Sequence, residues 1–137
     1  MTLAVLFGIV LVVFVLCDLI WLSNVTTPAF KKEVGSILRQ TPDAASAIAF
    51  YLMYAAGIVA FAAYPALQSE SLVEAAIRGA AIGFFAYMTY ELTNMATIEG
   101  WKWHMVFSDT AWGVFLTAVA AMVGVLGAMT LGFGPGD

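Results

Sequence analysis

Residues 3–22 read LAVLFGIVLVVFVLCDLIWL, and the reading of this stretch decides the fold. At about 1.5 Å per helical residue, its length comes to roughly 30 Å, the thickness of a bilayer's hydrocarbon core. Its one ionisable residue, Asp18, lies near the C-terminal end. Trp21 follows one turn later, where an interfacial aromatic sits. No Lys or Arg precedes the run. It therefore lacks the basic region of a signal peptide and is expected to be a retained helix.

The rest of the chain agrees. Its 137 residues suggest one domain, 1–137. They are 63% hydrophobic and 10% charged, with a mean hydropathy of +0.95. A soluble domain of this size cannot hide so much apolar surface, so the composition reads as an integral membrane protein. The net charge of −4 leaves no basic stripe for phosphates, which argues against nucleic acid as a partner. The single cysteine, Cys17, excludes an intramolecular disulfide and reads as a small buried hydrophobe.

Further spans are expected at 45–64, 72–96 and 105–131, giving an all-α, four-helix polytopic bundle. Between the first and second spans, Thr27-Pro28 reads as a helix start, with proline at the first helical position. Phe30, Val34, Ile37 and Leu38 then recur at i, i+4, i+7 and i+8, with Lys31, Lys32 and Arg39 off that face. The pattern predicts a short amphipathic interfacial helix over about 28–39, lying on the membrane surface. A solvated loop is the alternative, because Gly35 and Ser36 weaken the helix.

Thr41-Pro42-Asp43 is a second helix start, and Pro65 with Gln68-Ser69-Glu70-Ser71 ends the span that follows. That span carries Ala55, Ala56, Gly57 and Ala60, which permit close helix approach. Ser71-x-x-Glu74 is a capping box, Glu74 and Arg78 an i,i+4 pair, and Gly79 to Gly83 a GxxxG packing motif.

The unusual feature is polar. Tyr87-Met88-Thr89-Tyr90-Glu91-Leu92-Thr93-Asn94 places a carboxylate, an amide, phenols and hydroxyls inside the third span. Tyr87, Tyr90, Glu91 and Asn94 follow i, i+3, i+4 and i+7, a single stripe. Asp18 and Trp21, Tyr51 and Tyr54, and Asp109 and Trp112 each share a face on the other helices. All four groups fall at similar depth in one leaflet. Lys31, Lys32, Arg39 and Lys102 lie in the first and third loops, against Arg78 alone on the other side. The bias predicts N-out, C-out topology, with those loops and the polar leaflet cytoplasmic.

Asp18, Glu91 and Asp109 have no Lys or Arg at their depth. A carboxylate at mid-membrane costs about 2.5–3.5 kcal/mol on insertion scales. A proton, a cationic ligand or ion, or a loop cation folding back would each relieve that cost. Three readings of the cluster stay open: a network that binds helices together, a ligand site or membrane-enzyme active site, and a proton or cation path. The candidate ligand-binding residues are Asp18, Trp21, Tyr51, Tyr54, Tyr87, Tyr90, Glu91, Asn94, Asp109 and Trp112. No metal site is expected, since His104 is the only histidine and no HxxxH or ExxH pair occurs. No GxSxG elbow, phosphate loop or dinucleotide fingerprint names a catalytic residue or a cofactor. Asp-x-x-Trp and Tyr-x-x-Tyr each occur twice, but in helix order one to four and two to three, so they are not read as a duplication.

These same residues carry a resemblance. Asp18-x-x-Trp21-Leu22, Tyr51-Leu52-x-Tyr54-Ala55-x-Gly57, Tyr90-Glu91-Leu92-Thr93-Asn94-x-Ala96-Thr97 and Asp109-x-Ala111-Trp112-Gly113 occur in that order. Over about residues 10 to 125 the chain resembles the bacterial four-helix membrane proteins grouped as domain of unknown function 2177. Glu91 stands where that family's pattern has Asp, and Trp103-His104 falls outside the pattern. The resemblance implies a bacterial inner-membrane protein and carries no activity. The site itself suggests a protein that binds or modifies a lipid-soluble small molecule, its walls apolar and its few polar groups convergent. The alternatives are a proton- or cation-coupled carrier, as a homodimer packed through Gly79 and Gly83, and an accessory or assembly subunit of a larger membrane complex.

Overall fold

A computed structural model describes residues 1–136. Among them are four helices long and apolar enough to cross a membrane: α1 (Thr2–Val34), α2 (Ala44–Gln68), α3 (Leu72–Thr97) and α4 (Trp103–Thr130). No strand occurs among the described residues.

The first expectation to change is the interfacial helix. Thr27–Val34 is the direct continuation of the first span, so α1 is one rod of 33 residues. Pro28 does not start a helix. Instead α1 widens to π geometry over Leu22–Thr26, where the Thr27 N–H bonds the Leu22 carbonyl. Proline lacks an N–H and its ring collides with the carbonyl four residues back, and a local π turn accommodates both faults. The same device recurs in α2. Val59–Ala63 is π-helical, the Tyr64 N–H bonds the Val59 carbonyl, and Pro65 follows without ending the helix, which runs on to Gln68. In both helices the π turn ends two residues before the proline.

The α1 extension stops at Val34, short of the expected residue 39. Its apolar face divides accordingly. Phe30 and Val34 are buried against Trp101, Met105 and Val106, whereas Ile37 is exposed. The extension is therefore a plate covering the start of α4 and the loop before it.

The other helix starts follow their local chemistry. Asp43 caps α2, accepting from the Ser46 N–H at 2.8 Å and from the Ser46 hydroxyl. The Ser46 hydroxyl and then its backbone N–H hold the Asp43 carboxyl below the usual carboxylate range. Ser71 caps α3 by accepting from the Glu74 N–H at 3.1 Å. Glu74 does not close the expected box. Its carboxylate takes the Ser69 hydroxyl and Arg78 Nε instead.

The tightest pairing is α3 on α4, and glycine makes it possible. A Cβ on Gly79 would lie 2.7 Å from the Thr117 carbonyl oxygen, and one on Gly83 would lie 2.3 Å from that of Gly113. The GxxxG face is thus occupied within the chain, and its two glycines are not free to pack against a second copy. Without a hydrophobic force between helices in lipid, such close backbone approach is what holds a bundle. Gly57 plays no such part, since nothing lies within 4 Å of its would-be Cβ. The core of the remaining half is apolar: Leu6, Val10 and Phe14 of α1 meet Ala55, Ile58, Ala62 and Ala66 of α2 and Leu116, Ala120 and Val125 of α4.

Candidate functional site

Asp18 sits at the centre of one end of the bundle, 4% exposed. Two donors from two other helices reach it: the Tyr51 hydroxyl from α2 at 2.8 Å and Trp112 Nε1 from α4 at 3.2 Å. The Trp112 ring is fixed in turn by Trp21, stacked on it at 4.4 Å between centroids and 5° between planes. Trp21 is therefore a packing partner inside the bundle, and its Nε1 is buried without a hydrogen-bond partner. The helical spacing of Asp18 and Trp21 aims both at α4, where Asp109 and Trp112 have the same spacing.

This arrangement carries its own prediction. Asp18→Ala would leave the Tyr51 hydroxyl and the Trp112 N–H with no acceptor, at a cost of about 1–2 kcal/mol. Thermal unfolding in detergent should show the loss, and the tryptophan emission should change with it, because Trp112 is the group released. An unaltered melting temperature and spectrum would mean that the three-helix junction contributes nothing.

Glu91 lies nearer the α3–α4 turn and is fully buried at 0% exposure. Trp101 Nε1 donates to its Oε2 at 2.7 Å, and its Oε1 has no hydrogen-bond partner. Trp101 is itself locked in place by Phe30 of the α1 extension, edge to face at 5.1 Å. Asp109, 8% exposed, adjoins Glu91 from α4. Two adjoining carboxyl groups need a positive charge between them, whether a proton or a cation.

The aromatic stripe completes the site. The Tyr54 hydroxyl is hydrogen-bonded to Thr117 Oγ1 at 3.0 Å. The Tyr87 ring lies flat on Gly113, where a Cβ would be 2.1 Å from the ring. Tyr54 and Tyr87 meet edge to face at 6.2 Å. Tyr90 is half exposed, with its ring against the edge of Trp101. Asn94 is half-buried at the last turns of α3, where its carbonyl accepts from the Ile98 N–H.

A cavity of about 820 Å³ opens beside these groups. Asp18, Tyr54, Tyr87, Tyr90 and Asp109 are on its wall, with Phe50, Met53 and Ala86 as apolar lining. Leu22 and Thr26 of the π turn, Thr27, Phe30 and Lys31 of the α1 extension and Ile37, Leu38, Arg39 and Pro42 of the following loop close its outer part. Of the other predicted residues, Tyr51, Trp21 and Trp112 stand behind the wall and hold Asp18, Glu91 stands behind Asp109, and Asn94 is off it. Among the described residues no three side chains of metal-ligand type converge on one point.

Four contributors were not among the predicted site residues. Thr117 stands eight residues after Asp109, two turns along the same helix face, and that spacing was a usable signal. Trp101 gave no signal, because it is in a loop and reaches Glu91 only through the α3–α4 turn. Lys31 and Arg39 enter the wall because α1 continues past the first span and carries the loop over the cavity.

Comparison with known proteins gives one family. The family model described as "Predicted membrane protein (DUF2177)" matches residues 3–126. No curated protein and no solved structure matches the chain. The matched span holds Asp18, Tyr51, Tyr54, the Tyr87–Asn94 stripe, Asp109 and Trp112, and the bundle built from it has four membrane-crossing lengths. On that match the chain belongs to the DUF2177 family of predicted membrane proteins.

Proposed function

We propose that this protein binds, within the cavity at the α1–α2 loop end of the bundle, a lipid-soluble amphipathic small molecule. The observation that carries the reading is the cavity itself. Its volume of about 820 Å³ suits a drug-sized or lipid-sized ligand, and its walls combine apolar side chains with a few convergent polar ones. The protein sits in a lipid bilayer, so an apolar ligand has a reservoir at hand. In this reading the cavity opens to the cytoplasmic leaflet of a bacterial inner membrane, because Lys31, Lys32, Arg39 and Lys102 lie at that end and Arg78 at the other.

A proton- or cation-coupled carrier draws on the same acids. The bundle favours binding over carriage. Beyond Tyr54, Tyr87 and Thr117 the interior is filled by Phe14, Leu116, Ala120 and Val10, an apolar layer across any path.

Ala86 lines the cavity from α3, so a tryptophan there narrows it. Purified protein would be irradiated with a diazirine-tagged dodecanol and the labelled peptides measured. Labelling of the peptides holding Tyr54 and Tyr87 is expected in the wild type. Ala86→Trp should cut it about tenfold, whereas Leu126→Trp, on an exposed lipid-facing position, should not. Equal labelling of those peptides in all three proteins would refute the cavity as a binding site.

A further inference from the structure

We infer that the ligand held in this cavity carries an organic ammonium, docked among Asp109, Asp18 and the rings of Tyr54, Tyr87, Tyr90 and Phe50. The inference rests on the reading of the cavity as a ligand site and specifies the chemistry of what enters it.

The geometry points to a cation at the inner end. Asp18 and Asp109 face the cavity from α1 and α4, and four aromatic rings complete the wall. A carboxylate set beside aromatic faces is the environment an ammonium group prefers, since ring faces are electron-rich and the acids supply full charge. Phe50 and Tyr54 already stack at 5.8 Å, so their faces are held in order before any ligand arrives.

A second observation is independent of the wall. Glu91 is fully buried, has one free oxygen and adjoins Asp109. A proton shared between the two carboxyls relieves part of their repulsion, and no Lys or Arg lies at their depth in any of the four helices to supply the rest. Burying such a pair uncompensated is costly, and a bound ammonium supplies the missing charge.

The charges at the mouth set where along the cavity each charge comes to rest. Lys31 lies thirteen residues beyond Asp18 on α1, roughly 20 Å along the helix axis. Lys31 and Arg39 therefore set a potential that falls from positive at the mouth to negative at the inner end. The mouth opposes the entry of an ammonium, but one that has passed it is drawn to the acids at the inner end, whereas an anionic head stays at the mouth. A metal ion fits less well, since no three ligand side chains converge among the described residues.

The test is competition against the diazirine-tagged dodecanol label by three twelve-carbon amphiphiles: dodecylamine, dodecanol and dodecanoic acid. Dodecylamine should displace the label at a concentration at least tenfold below that of the other two. Asp109→Asn should remove that preference and leave displacement by dodecanol unchanged, and Lys31→Gln should keep the preference. If the label enters the cavity but the amine is no better than the alcohol, the ammonium inference is overturned and the cavity reading survives. If no label enters, the cavity reading itself has failed. The wild-type ranking decides the matter even if Asp109→Asn does not fold. A further arm separates two sources of the ammonium. Protection from the label in nanodiscs of phosphatidylethanolamine, but not of phosphatidylglycerol alone, identifies a membrane aminolipid. Protection by dodecylamine in both identifies a free lipophilic amine. Either result supports the inference.

Discussion

Gly83→Leu is expected to part α3 from α4 and to destabilise the bundle by about 3 kcal/mol or more. The reason is where the new atoms would go. Even the first of them, a Cβ, would stand 2.3 Å from the Gly113 carbonyl oxygen and 2.9 Å from the Val114 Cα. These are backbone atoms of a facing helix and cannot rotate aside, so the helices must separate. Separation also lifts the Tyr87 ring from Gly113 and pulls Glu91 away from Asp109, so the site fails with the fold. Each helix is long and apolar enough to remain in the membrane alone. The expected result is therefore nearly unchanged helix content by circular dichroism, a large drop in melting temperature and loss of cavity labelling. Gly8→Ala and Gly57→Ala are the controls. Nothing lies within 4 Å of either would-be Cβ, and both should melt at or slightly above the wild-type temperature. A Gly83→Leu protein that melts with these controls would show that the α3–α4 seam is not the axis of the bundle.

The second large effect concerns Glu91. Trp101→Phe removes the hydrogen bond that a loop N–H gives this fully buried carboxyl. The ring's packing against Phe30 is largely kept, so the loss reports the N–H. A cost of about 2–3 kcal/mol is expected, because a buried acceptor of this kind loses its partner and water cannot replace it. Glu91→Leu with Trp101→Phe should recover most of that loss, since removing both partners leaves no orphan. A double-mutant cycle over the two positions then measures the coupling directly. Additive effects of the two changes would mean that the loop tryptophan and the helix carboxyl do not act together. Ligand displacement in the Trp101→Phe protein is a useful companion measurement. Glu91 reaches the cavity only through Asp109, so the preference for amine over alcohol should narrow without disappearing.

Both expectations depend on features that differ in how plainly the sequence carried them. The GxxxG motif was legible, and so was the need for a close helix contact at it. Its partner was not. A small-residue face suits a second copy as well as a neighbouring helix, and only the arrangement of four helices places Thr117 and Gly113 against Gly79 and Gly83. The two prolines were misleading in a consistent way. Pro28 suggested a start and Pro65 a stop, because in water a proline commonly marks a helix boundary. In these helices a π turn before each proline keeps the rod continuous. Periodicity at 3.6 residues does not reveal a turn of five.

The membrane character and the four spans follow from hydropathy and length alone, because the bilayer imposes one thickness on every crossing segment, although α1 continues twelve residues past the end expected for it. The level of each polar residue along its own helix follows as well, since every residue adds a fixed rise. What the sequence by itself could not decide is lateral. Tyr51 and Trp112 could be placed level with Asp18, but their meeting on its two oxygens depends on how the helices are rotated and spaced. Trp101 could be placed in a loop, but its reach to Glu91 depends on the α3–α4 turn and on Phe30 above it. Depth is local and one-dimensional, set by the rise of each helix. Neighbourhood is set by packing among four helices at once, and it was the packing that brought Lys31 and Arg39 to the cavity while leaving Glu91 and Asp109 without a cation of their own.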